Sequence, residues 1–366
     1  MQISKLLLHN FRNHENLDLS FSPGATTIVG RNGRGKTNIV EAVQYLATLS
    51  SHRVSQDAPL IRSGQSAATI WANVEKHNRQ AQVELTINYP GANKVSLNAT
   101  QLSKPKDILG LVTSVIFSPE DLELVKGEPA ARRRFVDELS TLLTPKFSNT
   151  RSDFERTLKQ RNTLLKSLGR RSPSSQARAT LDAWNEQLIQ HGSEIISTRL
   201  ENIQRIKPHV AEFGQTISGD TEPLLLNYLN SWIPLEVTNK NEIATLFETE
   251  LENRSKDEID RGATLVGPHR DDLNIQLSNM PAKGYASHGQ SWSIAIALRL
   301  AAFKTLREHD NDPILILDDV FAELDEKRRS RLISIISDVE QTLITAAVIE
   351  DIPKGLPSKQ LLLEDN

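Results

Sequence analysis

The chain has 366 residues, 38% hydrophobic and 24% charged, a balance that suits one large or two modest folded domains and excludes a disordered chain. It has no cysteine, which excludes disulfides and thiolate metal sites. The net charge of -3 is unevenly spread: residues 126–178 hold 13 Lys and Arg against 5 Asp and Glu, and residues 242–260 hold 7 acidic residues against 2 basic ones. No apolar run approaches the roughly 20 residues that cross a bilayer, so we expect a soluble, cytoplasmic protein that does not contact membranes.

The N-terminal part of the sequence predicts strands interrupted by one helix. Short strands are predicted between Gln2 and Val29, and apolar residues at helical spacing follow over Lys36–Leu49. Alternating residues over Ala67–Leu97 predict an antiparallel meander, and Val112–Phe117 predicts a further strand.

The turn between the strand that ends at Val29 and the following helix carries the pattern Gly-x-x-x-x-Gly-Lys-Thr. In such a phosphate-binding loop, backbone N–H groups enclose phosphate oxygens, the lysine reaches the β- and γ-phosphates, and the threonine hydroxyl binds Mg²⁺. The sequence therefore predicts ATP and Mg²⁺ as ligands. The predicted nucleotide-binding residues here are Gly30, Arg31, Asn32, Gly33, Arg34, Gly35, Lys36, Thr37 and Asn38.

The middle of the chain is predicted to be mainly helical from Ala130, and its longest helical pattern begins near Leu181 and stops near Pro208 or Gly214. Strand patterns then return at Thr264–Val266, Ile275–Leu277, Ile314–Leu317 and Leu343–Val348. This order predicts a mixed α/β domain that is split in sequence by a helical insertion.

The apolar strand Ile314–Leu317 ends in two carboxylates, Asp318 and Asp319. Beside a phosphate-binding loop, the first carboxylate of such a strand typically holds Mg²⁺, and the second could polarise the attacking water. Asp318 is therefore predicted as a metal ligand, and Lys36, Asp318 and Asp319 as the catalytic residues. The alternative is a core strand with a solvated end.

A second anion site is predicted where Ser287, Gly289 and Gln290 open an apolar helix. Taken alone, this segment could be an ordinary N-capped helix. The order of phosphate loop, Ser-x-Gly-Gln helix and two-carboxylate strand is that of ABC-type ATPases, in which this helix completes the ATP site of another subunit. Many of these ATPases place a phosphate-sensing histidine where this chain has Thr345, whose hydroxyl can donate to phosphate but carries no charge. Slow hydrolysis is therefore expected.

The chain resembles the RecF family of bacterial recombination mediators, in the SMC-like branch of ABC ATPases, nearly end to end. The matching segments include residues 10–13, 30–38, 117–122, 126–137, 159–162, 267–272, 287–290 and 317–325. The resemblance implies an ABC-type ATPase head in residues 1–120 and 261–366, with a helical arm domain in residues 121–260. It also implies ATP-dependent homodimers on double-stranded DNA near single-strand gaps, and cooperation with RecR and RecO in loading recombinase.

The resemblance assigns further residues. Arg12 is similar to an arginine that reaches ATP phosphates, although a surface turn would place an arginine there equally well. Glu120 lies where related ATPases carry a metal-binding glutamine, so its role stays open. His269 and Arg270 could face nucleotide or a partner subunit, or form a structural turn.

The basic stretch predicts contact with the DNA backbone rather than base stacking, because its three aromatic residues suit core positions. Within it, one of Arg132, Arg133 and Arg134 could pair with Asp137. Three other functions remain open at this point: a transporter ATPase, a P-loop kinase, and a DNA clamp that binds ATP without hydrolysing it.

Overall fold

The computed structural model describes residues 1–169, 174–219, 222–234, 236–309, 312–353 and 356–363. In chain order, the strands are β1 (Gln2–Phe11), β2 (His14–Ser20), β3 (Gly24–Val29), β4 (Ala67–Lys76), β5 (Arg79–Asn88), β6 (Lys94–Leu97), β7 (Thr100–Gln101), β8 (Ser114–Phe117), β9 (Leu224–Leu229), β10 (Asp272–Leu277), β11 (Met280–Pro281), β12 (Ile314–Asp318), β13 (Gln341–Ala346) and β14 (Ser358–Leu362). The α-helices are α1 (Lys36–Thr48), α2 (Leu122–Lys126), α3 (Pro129–Leu143), α4 (Phe147–Leu168), α5 (Ser175–Ser218), α6 (Lys240–Arg261), α7 (Ala282–Tyr285), α8 (His288–Glu308) and α9 (Glu326–Ile336).

The chain divides into two compact units. The first comprises Met1–Lys126, His209–Leu224 and Ala282–Asn366, and the second comprises Gly127–Pro208 and Leu225–Pro281. Helix α5 contributes residues to both. Among the described residues, no helix combines the length and the apolar character that crossing a bilayer requires.

A five-stranded parallel sheet forms the centre of the first unit, in the order β14-β3-β13-β12-β8. Strands β8, β12 and β13 are buried along their whole length, as expected for a parallel sheet covered on both faces. Because all five strands run the same way, their carboxyl ends lie along one edge of the sheet. The predicted site residues lie at this edge, at or just after the ends of β3, β12 and β13.

A six-stranded antiparallel sheet completes the first unit, in the order β2-β1-β4-β5-β6-β7. Strand β4 alternates buried and half-buried residues, and it pairs with β1 on one side and β5 on the other. The predicted meander over residues 67–97 is confirmed.

The second unit combines helices α3, α4 and α6 and most of α5 with the small sheet β11-β10-β9. Its core is apolar and combines phenylalanine with aliphatic residues: Phe147, Phe154, Leu188, Ile195, Phe247, Leu251 and Val266. The prediction that the long helix stops near Pro208 or Gly214 is wrong, because α5 continues to Ser218. Val210, Phe213 and Ile217 are buried, so the apolar face continues past the proline.

The boundaries of the two units differ from the predicted division into 1–120, 121–260 and 261–366. Residues 209–224 join the first unit, since His209 and Glu212 near the end of α5 bind Glu308 and Lys304 of α8 at 3.0 and 2.8 Å. Residues 261–281 join the second unit, where Asp272 at the start of β10 is bound by Arg132 of α3.

Candidate nucleotide-binding site

The loop from Gly30 to Lys36 joins β3 to α1 and has the geometry of a phosphate cradle. Gly33 and Gly35 adopt φ angles of 86° and 90°, which the loop needs and which non-glycine residues rarely adopt. The Lys36 side chain lies inside the loop, where its Nζ donates to the Gly30 carbonyl at 2.8 Å and to Asn32 Oδ1 at 3.3 Å. Since α1 starts at Lys36, its N-terminal N–H groups and helix dipole favour an anion at this position.

Three predicted residues meet beside this loop. Thr37 Oγ1 donates to Asp318 Oδ1 at 3.0 Å, and Thr345 Oγ1 donates to the same oxygen at 2.6 Å. The Thr345 oxygen also accepts the backbone N–H of Asp319 at 2.9 Å. This contact follows from the sheet order, because β13 lies between β3 and β12 and pairs Thr345 with Ile28 and with Asp318.

The two carboxylates differ in their surroundings. Burial raises the pKa of Asp318 to about 6, and the negative charges of Asp319 and Glu120 add to this effect, against the hydrogen bonds from Thr345 and Thr37. Asp319 adopts a left-handed backbone with φ of 52°, a conformation that aspartate tolerates better than most residues. A cation placed at this oxygen cluster would relieve the unfavourable charge on Asp318.

Thr37 and Asp318 present the hydroxyl and carboxylate oxygens that Mg²⁺ prefers, so they fit the predicted metal. Within the described ranges, no group of three or more His, Cys, Asp or Glu side chains could hold a metal ion. Mg²⁺ is commonly bound by one or two protein oxygens together with phosphate and water. Glu120 affects the site through its charge, and its closest recorded partner is Arg53 at 3.9 Å.

The turn between β1 and β2 packs directly on the loop. His14 Nε2 lies 3.1 Å from the Gly35 carbonyl, and Asn38 Nδ2 donates to Asn13 Oδ1 at 2.7 Å. A Cβ atom on Gly35 would lie 2.4 Å from His14 Nε2 and 2.5 Å from Asn13 Oδ1. Gly35 therefore provides both the φ angle and the space for this contact.

Arg12 lies in the same turn, bound to a residue that sequence reasoning missed. Its Nε and Nη2 donate to the two carboxylate oxygens of Glu41 at 2.8 and 2.6 Å. A second missed residue, Arg53, donates to Asn38 Oδ1 at 3.0 Å. The sequence offered little signal for either, since Glu41 sits among the apolar positions of α1 and Arg53 lies in an irregular segment.

The predicted signature segment caps α8. Ser287 Oγ accepts the N–H of Gln290 at 3.2 Å, and Gln290 Oε1 accepts the N–H of Ser287 at 2.9 Å, which is a complete capping box. Gly289 lies beside Arg328, whose guanidinium would be in ordinary van der Waals contact, at 3.5 Å, with a Cβ at this position. None of the hydrogen bonds recorded for Ser287, Gly289 and Gln290 reaches Gly30–Thr37. These contacts within the chain are those of the ordinary N-capped helix.

Several arginines of the predicted basic stretch lie inside the second unit. Arg161 is buried against Glu258 at 2.6 Å, and Arg132 binds Asp272 at 2.7 Å. The prediction that one of Arg132, Arg133 and Arg134 pairs with Asp137 is wrong, because Asp137 binds Arg199 of α5 at 2.8 Å. The exposed cations of this stretch include Lys146, Lys159 and Lys166.

His269 and Arg270 form a turn within the second unit. Both side chains lie near the Thr264 carbonyl, at 3.3 and 3.1 Å, and the His269 ring packs 5.9 Å from the Phe154 ring. Burial lowers the pKa of His269 to about 4. These contacts agree with the structural turn, one of the alternatives for His269 and Arg270.

The parallel sheet, the phosphate cradle, the carboxylate-ended strand and the capped helix define an ABC-type P-loop ATPase head. Residues 2–352 match the family described as RecF/RecN/SMC N terminal domain. The DNA replication and repair proteins RecF of Streptomyces avermitilis and Frankia alni are each 46% identical to the chain, covering 96% and 97% of it and 95% and 96% of their own lengths. The chain belongs to the RecF family of SMC-like ATPases.

Solved structures agree with this assignment. The recombination mediator protein RecF-ATP in the RecFOR pathway superposes with a TM-score of 0.88 at 29% identity, covering 96% of this chain and 93% of that one. A SmcHead structure bound to the C-winged helix domain of ScpA reaches a TM-score of 0.53 at 16% identity, covering 96% of this chain and 90% of that one, and so shares the fold. Membership of this family sets aside the transporter and kinase alternatives.

Proposed function

We propose that the chain is an ATP-dependent DNA-binding protein of recombinational repair, whose nucleotide state controls dimerisation and whose slow hydrolysis releases the DNA. The observation that carries this proposal is the junction of Thr37, Asp318 and Thr345, which joins the start of α1 to the carboxyl ends of β12 and β13 at a phosphate cradle. A nucleotide bound there would contact groups that can hold its phosphates, its metal and its attacking water.

Each residue has a separate role at this junction. Lys36 and the loop N–H groups would hold the phosphates, while Thr37 and Asp318 would hold Mg²⁺, which supplies charge neutralisation when bound. Asp319 would orient the attacking water. Thr345, whose hydroxyl donates to Asp318, supplies no positive charge where a histidine could, which supports the expectation of slow turnover.

The signature segment supports a composite site. Ser287 and Gln290 form an exposed helix start whose hydrogen bonds do not involve the loop of the same chain. In the proposed homodimer, Ser287, Gly289 and Gln290 of one chain would meet the nucleotide held by Gly30–Thr37 of the other. ATP would then join two chains, and hydrolysis would separate them.

DNA and protein partners follow from the family and from charge. Exposed cations such as Lys159 and Lys166 suit contact with the phosphates of double-stranded DNA near gaps. Since the solved RecF relatives are described as part of the RecFOR pathway, RecR- and RecO-type mediators are the proposed partners in recombinase loading. Such a protein would act in the cytoplasm.

The test measures ATPase activity and sedimentation in parallel, with and without gapped DNA, across a salt series. The wild-type chain should form ATP-dependent dimers, hydrolyse ATP slowly, and hydrolyse faster with gapped DNA. Lys36→Arg should weaken hydrolysis, and unchanged activity would refute the assignment of the loop. Ser287→Arg should bind ATP but form no dimers, so persistent dimers would refute the composite site. A single-turnover assay separates slow hydrolysis from a clamp that does not hydrolyse ATP.

A further inference from the structure

Glu41 is a buried carboxylate next to the phosphate cradle. It lies one helical turn beyond Thr37 on α1, and its side chain has an exposed fraction of 0%. Burial alone would raise the pKa of Glu41, but hydrogen bonds from Arg12 and Ser51 hold it below its usual value. Oε1 accepts from Arg12 Nη2 at 2.6 Å and from Ser51 Oγ at 2.5 Å, and Oε2 accepts from Arg12 Nε at 2.8 Å. Glu41 is therefore ionised and enclosed by protein, so any effect on a ligand must pass through another residue.

Arg12 is placed to transmit that effect. Its side chain is 14% exposed, and the described contacts use three of its five N–H groups: two on Glu41 and one on the Pro59 carbonyl at 2.9 Å. Its backbone is held as well, with a left-handed φ of 56° and an N–H bond to the Leu60 carbonyl at 2.7 Å. The next two residues along the chain, Asn13 and His14, contact the phosphate loop at the carbonyls of Gly33 and Gly35.

We propose that Glu41 is a positioning residue of the nucleotide site, holding the Arg12 guanidinium in the orientation in which its two remaining N–H groups meet the phosphates. The inference rests on the proposed function, because it requires a nucleotide at the loop. A bidentate carboxylate fixes both the plane and the position of a guanidinium, which a neutral side chain cannot do as firmly. Arg53, 3.7 Å from Glu41 Oε2, adds a second cation to the same carboxylate.

The second unit provides a matched control. Arg161 and Glu258 form a pair of the same residue types that is more deeply buried, with a contact of 2.6 Å and exposed fractions of 2% and 0%. Both pairs combine an arginine with a buried glutamate, so neutralising the glutamate should destabilise the fold in each case by leaving the arginine charge without its partner. Only the Arg12–Glu41 pair adjoins the phosphate loop.

The experiment compares Glu41→Gln, Arg12→Ala, the double variant and Glu258→Gln in the full chain. ATP affinity, kcat, KM and melting temperature are measured for each. Glu41→Gln and Arg12→Ala should each weaken ATP binding about tenfold, the loss expected for one charge-assisted hydrogen bond. The double variant should bind ATP no more weakly than Arg12→Ala, because both changes remove the same contact. Glu258→Gln should lower the melting temperature and leave ATP affinity unchanged.

Two results would overturn the positioning role: wild-type ATP affinity in Glu41→Gln, or an equal loss from Glu41→Gln with and without Arg12. If Glu41→Gln does not fold, Glu41→Asp replaces it, with an intermediate loss of affinity expected and wild-type affinity contradicting the proposal. Lys36→Ala separates the two proposals. If Lys36→Ala binds ATP with wild-type affinity, the assignment of the nucleotide site itself is wrong. If Lys36→Ala loses ATP binding while Glu41→Gln keeps wild-type affinity, only the positioning role is rejected.

Discussion

At the proposed nucleotide site, Asp318 is the residue on which the contacts converge, because two hydroxyl groups and two neighbouring carboxylates act on its buried carboxylate. Thr37 and Thr345 both donate to Oδ1, while Asp319 and Glu120 raise the cost of its negative charge. The protein thus keeps a carboxylate whose charge is unfavourable until a cation binds. Sites arranged in this way commonly lose stability in exchange for function.

Replacing Asp318 should raise the stability of the nucleotide-free protein while abolishing its activity. Because its pKa is raised from 3.8 to about 6, folding favours the protonated carboxyl, so this group lowers the free energy of unfolding above pH 6. The penalty fades as the pH falls from 6 towards 3.8. Asp318→Asn should therefore raise the melting temperature without nucleotide more at pH 8 than at pH 5, and should abolish hydrolysis. A lower melting temperature at pH 8 would contradict this account.

Thr345 should matter through its hydroxyl alone. Thr345→Val keeps the shape of the side chain but removes a donor to Asp318 and leaves the N–H of Asp319 without its acceptor. We expect a loss of about 1–3 kcal/mol in the free energy of unfolding and slower hydrolysis. Thr26→Val on neighbouring β3 is the control, since the buried Thr26 hydroxyl has no hydrogen-bond partner. If both variants behave alike in urea unfolding and ATPase assays, the Thr345 hydroxyl has no special role.

At the scale of elements, α8 combines a structural cap with a proposed binding surface. Its first residues satisfy their own backbone N–H groups through Ser287 and Gln290, and Arg299, further along the helix, binds Asp121 at 2.6 Å. Asp121 also accepts the N–H of Ser118 at 3.0 Å, just after β8. The helix is therefore anchored to the segment that carries Glu120.

Two substitutions at the cap should distinguish its roles. Ser287→Ala removes the capping oxygen and should cost about 1 kcal/mol in the free energy of unfolding. Ser287→Asp keeps a capping oxygen, so stability should be retained, but its negative charge would repel a phosphate presented by a second chain. Thermal melts and sedimentation with ATP measure the two effects. ATP-dependent dimers of Ser287→Asp would argue against a phosphate at this position.

Local patterns predicted individual elements but not the partners with which they pack. The spacing in residues 36–49 and the apolar run in 314–317 correspond to α1 and β12, and the glycine loop between β3 and α1 followed from a known chemical pattern. The strand predicted at 264–266 is absent from the described structure, where Thr264 instead binds Asn162 and Arg161. Contacts of this kind, like Asp137 with Arg199, join residues 62 or more positions apart, and no local spacing encodes them.

At the scale of the whole molecule, the charge of the basic stretch is divided between interior and surface. Arg132 and Arg161 are paired inside the second unit, so the count of 13 cations overstates the charge available to a ligand. Lys146, Lys159 and Lys166 remain exposed. The strength of the proposed DNA binding should follow these surface residues rather than the total charge.

Salt dependence should reveal which cations meet DNA. Lys159→Ala with Lys166→Ala should weaken binding to duplex DNA and reduce the slope of log affinity against log salt by about 2, roughly one unit for each lost phosphate contact. Lys359→Ala, an exposed lysine of β14, should leave the slope unchanged. A slope that stays constant in the double variant would mean that DNA contacts another surface.

Because His14 contacts Gly35, the phosphate loop depends on a segment outside itself for its shape. The segment from Gly30 to Asn38 is bound on one side by a turn that lies some twenty residues earlier in the chain, with the His14 ring filling the space that any side chain at position 35 would need. A graft of this segment alone into another strand-helix unit would lack the partner against which it is shaped. A functional graft would therefore have to include the first two strands together with the loop.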